Sequence, residues 1–188
     1  MPLAGILLAG GRGERFQASG GQDKLLHALP GGDGVAAASA RCLLQAVPTV
    51  HAVIRPDAGP LGNILESLGC RIVVCAEADT GMAASLVAGL QACLDADGWL
   101  IALADMPYVK AETMQLLART LSCGADIVQP FRRGAGGNPV GFSRRHLARL
   151  LALKGDRGAR TLLGEHPVTR VEVDDEGIFR DIDTLEDL

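Results

Sequence analysis

Aromatic residues are scarce in this 188-residue chain, where they make up only 3% of the sequence. Hydrophobic residues nevertheless reach 48%, which excludes an intrinsically disordered chain. The core must therefore consist of Leu, Val, Ile and Ala, a composition typical of helices that pack on a buried sheet. The length is that of one domain, so we expect residues 1–188 to form a single unit.

Excess positive charge, long apolar runs and paired cysteines are also missing. The net charge of −4 gives no support for a nucleic-acid-binding protein. No run reaches the roughly 18–20 apolar residues of a membrane helix. Arg12 and Arg15 follow the first apolar run, which is the wrong order for a signal peptide. The five cysteines include no CxxC pair, so we expect reduced thiols, no zinc site and a cytoplasmic protein without membrane or nucleic-acid partners.

Short apolar runs alternate with segments of helical spacing along the whole chain. We predict strands at residues 3–9, 49–55, 71–75, 99–104, 126–130, 139–142 and 169–173. We predict helices at residues 34–47, 61–68, 81–94, 111–121, 144–153 and 159–164. This alternation indicates an α/β fold with a mostly parallel sheet, whose ligands bind at the carboxyl ends of the strands.

The first predicted strand runs into a glycine-rich and positively charged loop. Its three glycines and three cations are Gly10, Gly11, Gly13, Arg12, Arg15 and Lys24. Glycines let a phosphate approach the backbone amides, and the cations supply charge for a triphosphate. The Walker A pattern fails because Leu25 follows Lys24, and the GxGxxG pattern fails because Phe16 replaces the third glycine. The spacing leaves a triphosphate loop or a solvated surface turn as the main alternatives, and a dinucleotide-binding loop as a third, since Gly11 and Gly13 match part of GxGxxG.

Four later segments carry further candidate residues. Asp105 ends an apolar strand in IALADMPYV and is either a Mg²⁺ ligand or a turn residue. Ser85 lies near the start of a helix in ADTGMAASLVAGL, where it either faces a ligand or bonds back to its own helix. The other two segments are GGNPVGFSRRHLARLLALKGDRGARTLL at residues 136–163 and RDIDTLEDL at residues 180–188.

These motifs resemble, in order and approximate spacing, those of the MobA-like nucleotidyltransferases. The resemblance implies a three-layer Rossmann-like sandwich with an antiparallel strand near residues 139–142. It implies Mg²⁺ on Asp105 and Asp183, and catalytic roles for Arg12, Lys24 and Asp105. The implied nucleotide-binding residues are Leu8, Ala9, Gly10, Gly11, Arg12, Gly13, Arg15, Lys24 and Ser85. The implied acceptor-binding residues are Asn138, Asp156, Arg157 and Arg160. The chain departs from the family pattern at Gly13, Phe16 and Leu185.

The resemblance also implies a reaction in which the terminal phosphate of molybdopterin attacks the α-phosphate of an NTP. The opening LAGG resembles the guanylyl branch of the family, whereas GNPV, GDRGAR and DIDT resemble the cytidylyl branch. The later motifs cover more residues, so we expect CTP rather than GTP. Expected partners are the nucleotide, molybdopterin or the molybdenum cofactor, and a client molybdoenzyme or its chaperone. A sugar-phosphate nucleotidyltransferase and a non-catalytic cofactor chaperone remain alternatives, and Asp183 or Thr184 could instead cap a final helical turn.

Overall fold

The computed structural model describes residues 2–156 and 158–188, which build one sheet with helices on both faces. The strands are β1 (Leu3–Ala9), β2 (Thr49–Ile54), β3 (Arg71–Val74), β4 (Gly98–Leu103), β5 (Ile127–Arg132), β6 (Ala135–Gly136), β7 (Val140–Ser143) and β8 (Thr169–Glu172). The helices are α1 (Glu14–Ala18), α2 (Val35–Leu44), α3 (Leu61–Ser67), α4 (Met82–Gln91), α5 (Ala111–Ser122), α6 (Leu147–Leu151) and α7 (Arg160–Glu165). Single 3₁₀ turns lie at Ala78–Thr80, Arg144–His146, Glu176–Phe179 and Leu185–Asp187.

The sheet is mostly parallel, as the sequence predicts. Its strand order is β3-β2-β1-β4-β7-β5, and both β6 and β8 pair with β5. β1 pairs in parallel with β2 and β4, β2 with β3, and β5 with β8. β7 runs antiparallel between β4 and β5, which confirms the antiparallel strand expected near residues 139–142. The carboxyl ends of β1 and β4 are therefore neighbours at the centre of one sheet edge.

Two apolar clusters fill the spaces on either side of the sheet and confirm the three-layer architecture. On one face α2, α3 and α5 contribute buried side chains such as Leu43, Leu65 and Leu117. On the other face α4, α6 and α7 contribute residues such as Leu90 and Leu162, and the fully buried Trp99 packs among them. Leucine and isoleucine thus occupy the volume that aromatic residues fill in other cores.

The loop after β1 contains a short helix that the sequence analysis did not predict. Residues Glu14–Ala18 form α1, whose Phe16 is fully buried and lies edge-on to His27 at a ring separation of 5.3 Å. The sequence gives no helical pattern here, because only one of the five residues of α1 is buried and the helix follows a glycine-rich, charged stretch. The helix predicted at 144–153 is also interrupted, since its first three residues form a 3₁₀ turn before α6.

The five cysteines all carry free thiols. Burial raises the pKa of the Cys70 and Cys93 thiols to about 11, so both are protonated and unreactive near neutral pH. Within residues 2–156 and 158–188, every helix is too short or too polar to cross a membrane.

Candidate active site

A cleft of about 690 Å³ opens at the carboxyl ends of β1 and β4. Of the residues singled out in the sequence, it is lined by Leu8, Gly10, Gly11, Arg12, Gly13, Arg15, Lys24, Ser85, Asp105, Asp156 and Asp183. It is also lined by Glu14, Ala78, Asp79, Gly81, Met82 and Leu103. Ala9, the last residue of β1, is buried and does not line the cleft. The fold therefore gathers into one cavity residues from both ends and the middle of the chain.

The glycine loop forms one wall of the cleft, and two of its glycines lie close to neighbouring side chains. Gly13 adopts φ 64°, and a Cβ there would lie 3.1 Å from Cβ of Lys24. A Cβ on Gly10 would lie 2.9 Å from Oγ of Ser85 at the start of α4. Glycines at these positions leave the loop backbone without side chains of its own, an arrangement that favours hydrogen bonds from backbone amides to an anion.

Lys24 lies between two carboxylates at the centre of the cleft. Its Nζ donates a hydrogen bond to Oδ2 of Asp105 at 2.8 Å and lies 3.6 Å from Oδ1 of Asp183. The lysine side chain is only 10% exposed, so these charges interact in a partly desolvated environment. Asp105 follows β4, as the sequence predicts, and Asp183 arrives from the last residues of the chain.

The two carboxylates also meet the basic requirement of a magnesium site. Because both contact the same ammonium group, their oxygens lie within a few ångströms of each other. In the described part of the chain, no group of three His, Cys, Asp or Glu residues could hold a metal by itself. Mg²⁺ commonly uses one or two carboxylates and completes its shell with phosphate oxygens and water. The residues present therefore fit a metal that binds together with a triphosphate.

The final 3₁₀ turn, Leu185–Asp187, begins just after Asp183, and its N-cap is Thr184 rather than Asp183. Asp187 accepts backbone hydrogen bonds from Thr184 at 2.7 Å and Asp183 at 3.0 Å, and it forms a capping box with Thr184. These hydrogen bonds lower the pKa of the Asp187 carboxyl. The side chain of Asp183 is free of this role and pairs with Arg15 across the cleft.

Arg12 contacts an acidic residue that the sequence analysis did not single out. Its guanidinium donates two hydrogen bonds to Asp79, of which the Nε–Oδ1 bond is 2.7 Å long. Hydrogen bonding from Arg12 lowers the pKa of Asp79, and the same contact raises the pKa of Arg12. Asp79 lies in the ADTGM segment that the sequence analysis quoted, but nothing in that segment predicts a contact with Arg12, 67 positions earlier.

Only one of the four acceptor candidates lines the cleft among the residues that the structure describes. Asp156 lies beside Gly81, where φ is 132° and a Cβ would come within 2.7 Å of the carboxylate Oδ1. Asn138 is buried, with its backbone N–H bonded to the carbonyl of Ile178 at 3.0 Å. Arg160 is exposed at the start of α7, away from the lining. Arg157 lies outside the described residues.

Comparisons with known proteins identify the class and then the family. The fold matches a nucleotidyl transferase from Methanothermobacter thermautotrophicus with a TM-score of 0.84 at 26% identity, covering 99% of this chain and 94% of that chain. The MobA-like NTP transferase domain matches residues 5–171, and the chain belongs to that family. It is thus a nucleotidyltransferase by class, as the motifs predict.

Two further similarities concern the substrate and the metal of related proteins. The chain is 29% identical to a molybdenum cofactor guanylyltransferase of Cupriavidus pinatubonensis, over 99% of this chain and 94% of that protein. It also matches Rv0371c of Mycobacterium tuberculosis in a complex with manganese, with a TM-score of 0.80 at 25% identity, covering 100% of this chain and 96% of that chain.

Proposed function

We propose that this protein transfers a nucleotidyl group from an NTP to the terminal phosphate of molybdopterin and releases pyrophosphate. The observation that carries the proposal is the position of Lys24 between Asp105 and Asp183, beside the glycine loop. This arrangement offers a cation for the triphosphate and two oxygen ligands for a metal within one cleft. The relative named as a molybdenum cofactor guanylyltransferase supports the choice of acceptor.

The chemistry requires positioning and charge neutralisation rather than an activated side chain. A phosphate monoester is already an anionic nucleophile, so the reaction needs no catalytic Ser, Cys or His. In our proposal Arg12, Arg15 and Lys24 hold the triphosphate, and the amides of the glycine loop hold its oxygens. All three cations pair with carboxylates in the cleft, so the incoming triphosphate exchanges those pairs for its own oxygens.

The proposed metal is Mg²⁺, held by Asp105 and Asp183 together with triphosphate oxygens. When bound, it would neutralise charge that develops on the departing pyrophosphate. A structural relative is known in a complex with manganese, which supports a divalent cation in this proposal. Lys24 contacts both carboxylates. In our proposal it exchanges these contacts for triphosphate oxygens, which leaves the two carboxylates available to hold the metal.

Different observations favour two candidate bases. The guanylyltransferase name of the curated relative and the LAGG sequence at residues 8–11 favour GTP, which we take as the first candidate in place of the expected CTP. The GNPV, GDRGAR and DIDT segments favour CTP as the second candidate. On the acceptor side, Asp156 is the proposed contact that lines the cleft, and Asn138, Arg157 and Arg160 remain proposals. A molybdoenzyme in the cytoplasm is the proposed recipient of the product.

The test is pyrophosphate release from GTP, CTP, ATP and UTP in parallel, with Mg²⁺ and molybdopterin. We expect release with GTP, and release with CTP alone would make cytosine the base. Asp105→Asn should abolish release while the protein stays folded, because it removes a charged metal ligand. Molybdopterin binding without release from any NTP would replace the proposed enzyme with a cofactor-binding chaperone.

A further inference from the structure

Asp175 is a buried carboxylate that lies behind the cleft and has no place in the proposed chemistry. It is 1% exposed. Its Oδ2 accepts hydrogen bonds from the backbone N–H of Lys110 at 2.9 Å and from Oγ1 of Thr113 at 2.7 Å. Its Oδ1 accepts a hydrogen bond from the backbone N–H of Gly177 at 2.9 Å. A buried charge that receives three hydrogen bonds from neutral donors joins the elements that supply those donors.

The donors belong to the two chain segments that carry the candidate metal ligands. Lys110 and Thr113 lie at the start of α5, directly after the loop that carries Asp105. Gly177 lies in the 3₁₀ turn Glu176–Phe179, a few residues before Asp183. One carboxylate therefore connects the two segments that reach the cleft from the middle and from the last residues of the sequence.

The contact between these segments continues up to the metal ligands. Gly177 packs directly on the backbone of Tyr108, and a Cβ on this glycine would lie 2.6 Å from the backbone nitrogen of Val109. The backbone N–H of Ile182 donates to the carbonyl oxygen of Asp105 at 2.9 Å. Asp105 and the residue before Asp183 are thus hydrogen-bonded, and the bonds of Asp175 join the same two segments farther from the cleft.

We propose that Asp175 is a positioning residue that sets the spacing of Asp105 and Asp183 for a divalent cation bound to a triphosphate. The inference rests on the metal role of these two residues in the proposed function. A carboxylate is required because each of its oxygens faces a backbone N–H. An asparagine would turn its NH₂ group toward one of these donors and leave that side of the joint without an acceptor.

Calorimetric titration with inorganic tripolyphosphate, with and without one equivalent of Mn²⁺, tests this role without an acceptor or a base. In Asp175→Asn we expect Mn²⁺–tripolyphosphate to bind about 10-fold more weakly, because residues that orient metal ligands have effects of this size. Binding of metal-free tripolyphosphate should change less than about two-fold, since the cations of the glycine loop are untouched. General damage to the structure would weaken the binding of tripolyphosphate equally with and without Mn²⁺.

Asp174→Asn is the matched control, since the neighbouring Asp174 carboxylate is 95% exposed and contacts Arg132. It should bind both ligands as the wild type does. Thr113→Val removes one of the three hydrogen bonds and serves as a second variant if Asp175→Asn does not fold.

The outcomes separate this inference from the proposed reaction. Equal affinity of wild type and a folded Asp175→Asn or Thr113→Val protein for Mn²⁺–tripolyphosphate overturns it, as does an equal loss with and without Mn²⁺. If wild type binds the complex selectively but releases no pyrophosphate with molybdopterin, the proposed reaction fails and the positioning role stands.

Discussion

Replacing Gly10 with alanine tests the packing of the glycine loop against α4. The backbone at Gly10 is not in the left-handed region, so alanine can adopt it without strain. The added Cβ would nevertheless lie 2.9 Å from Oγ of Ser85 and 3.3 Å from Cβ of Ala78. Carbon and oxygen at 2.9 Å overlap, so either the serine rotates or the loop moves away from the helix.

The expected loss in the free energy of unfolding is about 1 kcal/mol. Overpacking by one methyl group costs about 1–3 kcal/mol, but a serine side chain can leave its rotamer for about 0.5–1.5 kcal/mol. In the double variant Gly10→Ala/Ser85→Ala the nearest atom becomes Cβ of Ala78 at 3.3 Å. The loss caused by Gly10→Ala should then fall below about 0.5 kcal/mol, so the two changes should couple with a compensating energy of at least about 0.5 kcal/mol.

Urea denaturation of the wild type, both single variants and the double variant measures this coupling. Trp99 is the only tryptophan and is fully buried, so its fluorescence reports unfolding. Gly11→Ala is the matched control, since a Cβ there meets no atom within 4 Å. A coupling energy below about 0.3 kcal/mol, or an equal loss in the Gly11 control, would refute the reasoning.

Three other perturbations have definite expected results. Lys24→Met leaves Asp105 without its cation and Asp183 with Arg15 alone, so we expect the metal-free protein to lose about 1–2 kcal/mol and Mg²⁺ to restore much of it; no effect of Mg²⁺ on the thermal midpoint would contradict a shared metal site. Burial, and then the charge of His166, lower the pKa of His146, so the unfolded chain takes up its proton first and stability should fall as the pH drops below about 6.5. His146→Phe should flatten this fall in urea titrations between pH 7 and 5, and an unchanged slope would exclude the residue as its source. Gly177→Ala should cost more than about 3 kcal/mol because its Cβ overlaps the backbone of Tyr108, which a normal urea midpoint would disprove.

The central part of the sheet and of the site could be predicted because local patterns specify them. The apolar run of β1 matches its predicted bounds, and the glycines and Asp105 follow strand ends where the parallel arrangement places ligands. The helices predicted at 34–47 and 81–94 are present but shorter, since frayed ends carry little signal in the sequence.

The remaining features depend on contacts between distant parts of the chain. Asp79 meets Arg12, and Asp175 meets Thr113, only after the sheet has folded, and neither aspartate has a local pattern that reveals its partner. The acceptor-binding roles of Asn138 and Arg160 stay predictions, because burial of the first residue and the position of the second at the start of α7 do not test contact with an acceptor. A motif groups residues that are close in the sequence, whereas the cleft is built from residues that only the fold brings together.

The pairing of Arg15 with Asp183 has a consequence for the order of events during synthesis. The two residues are 168 positions apart. At a translation rate of roughly 5–20 residues per second, Asp183 is synthesised on the order of ten seconds or more after Arg15. Strands β1 to β4 can pair with one another before Asp183 emerges, whereas β5 joins them only through β7, which is made later. Until Asp183 emerges, Arg15 therefore lacks this partner, whereas Arg12 and Lys24 can already pair with Asp79 and Asp105.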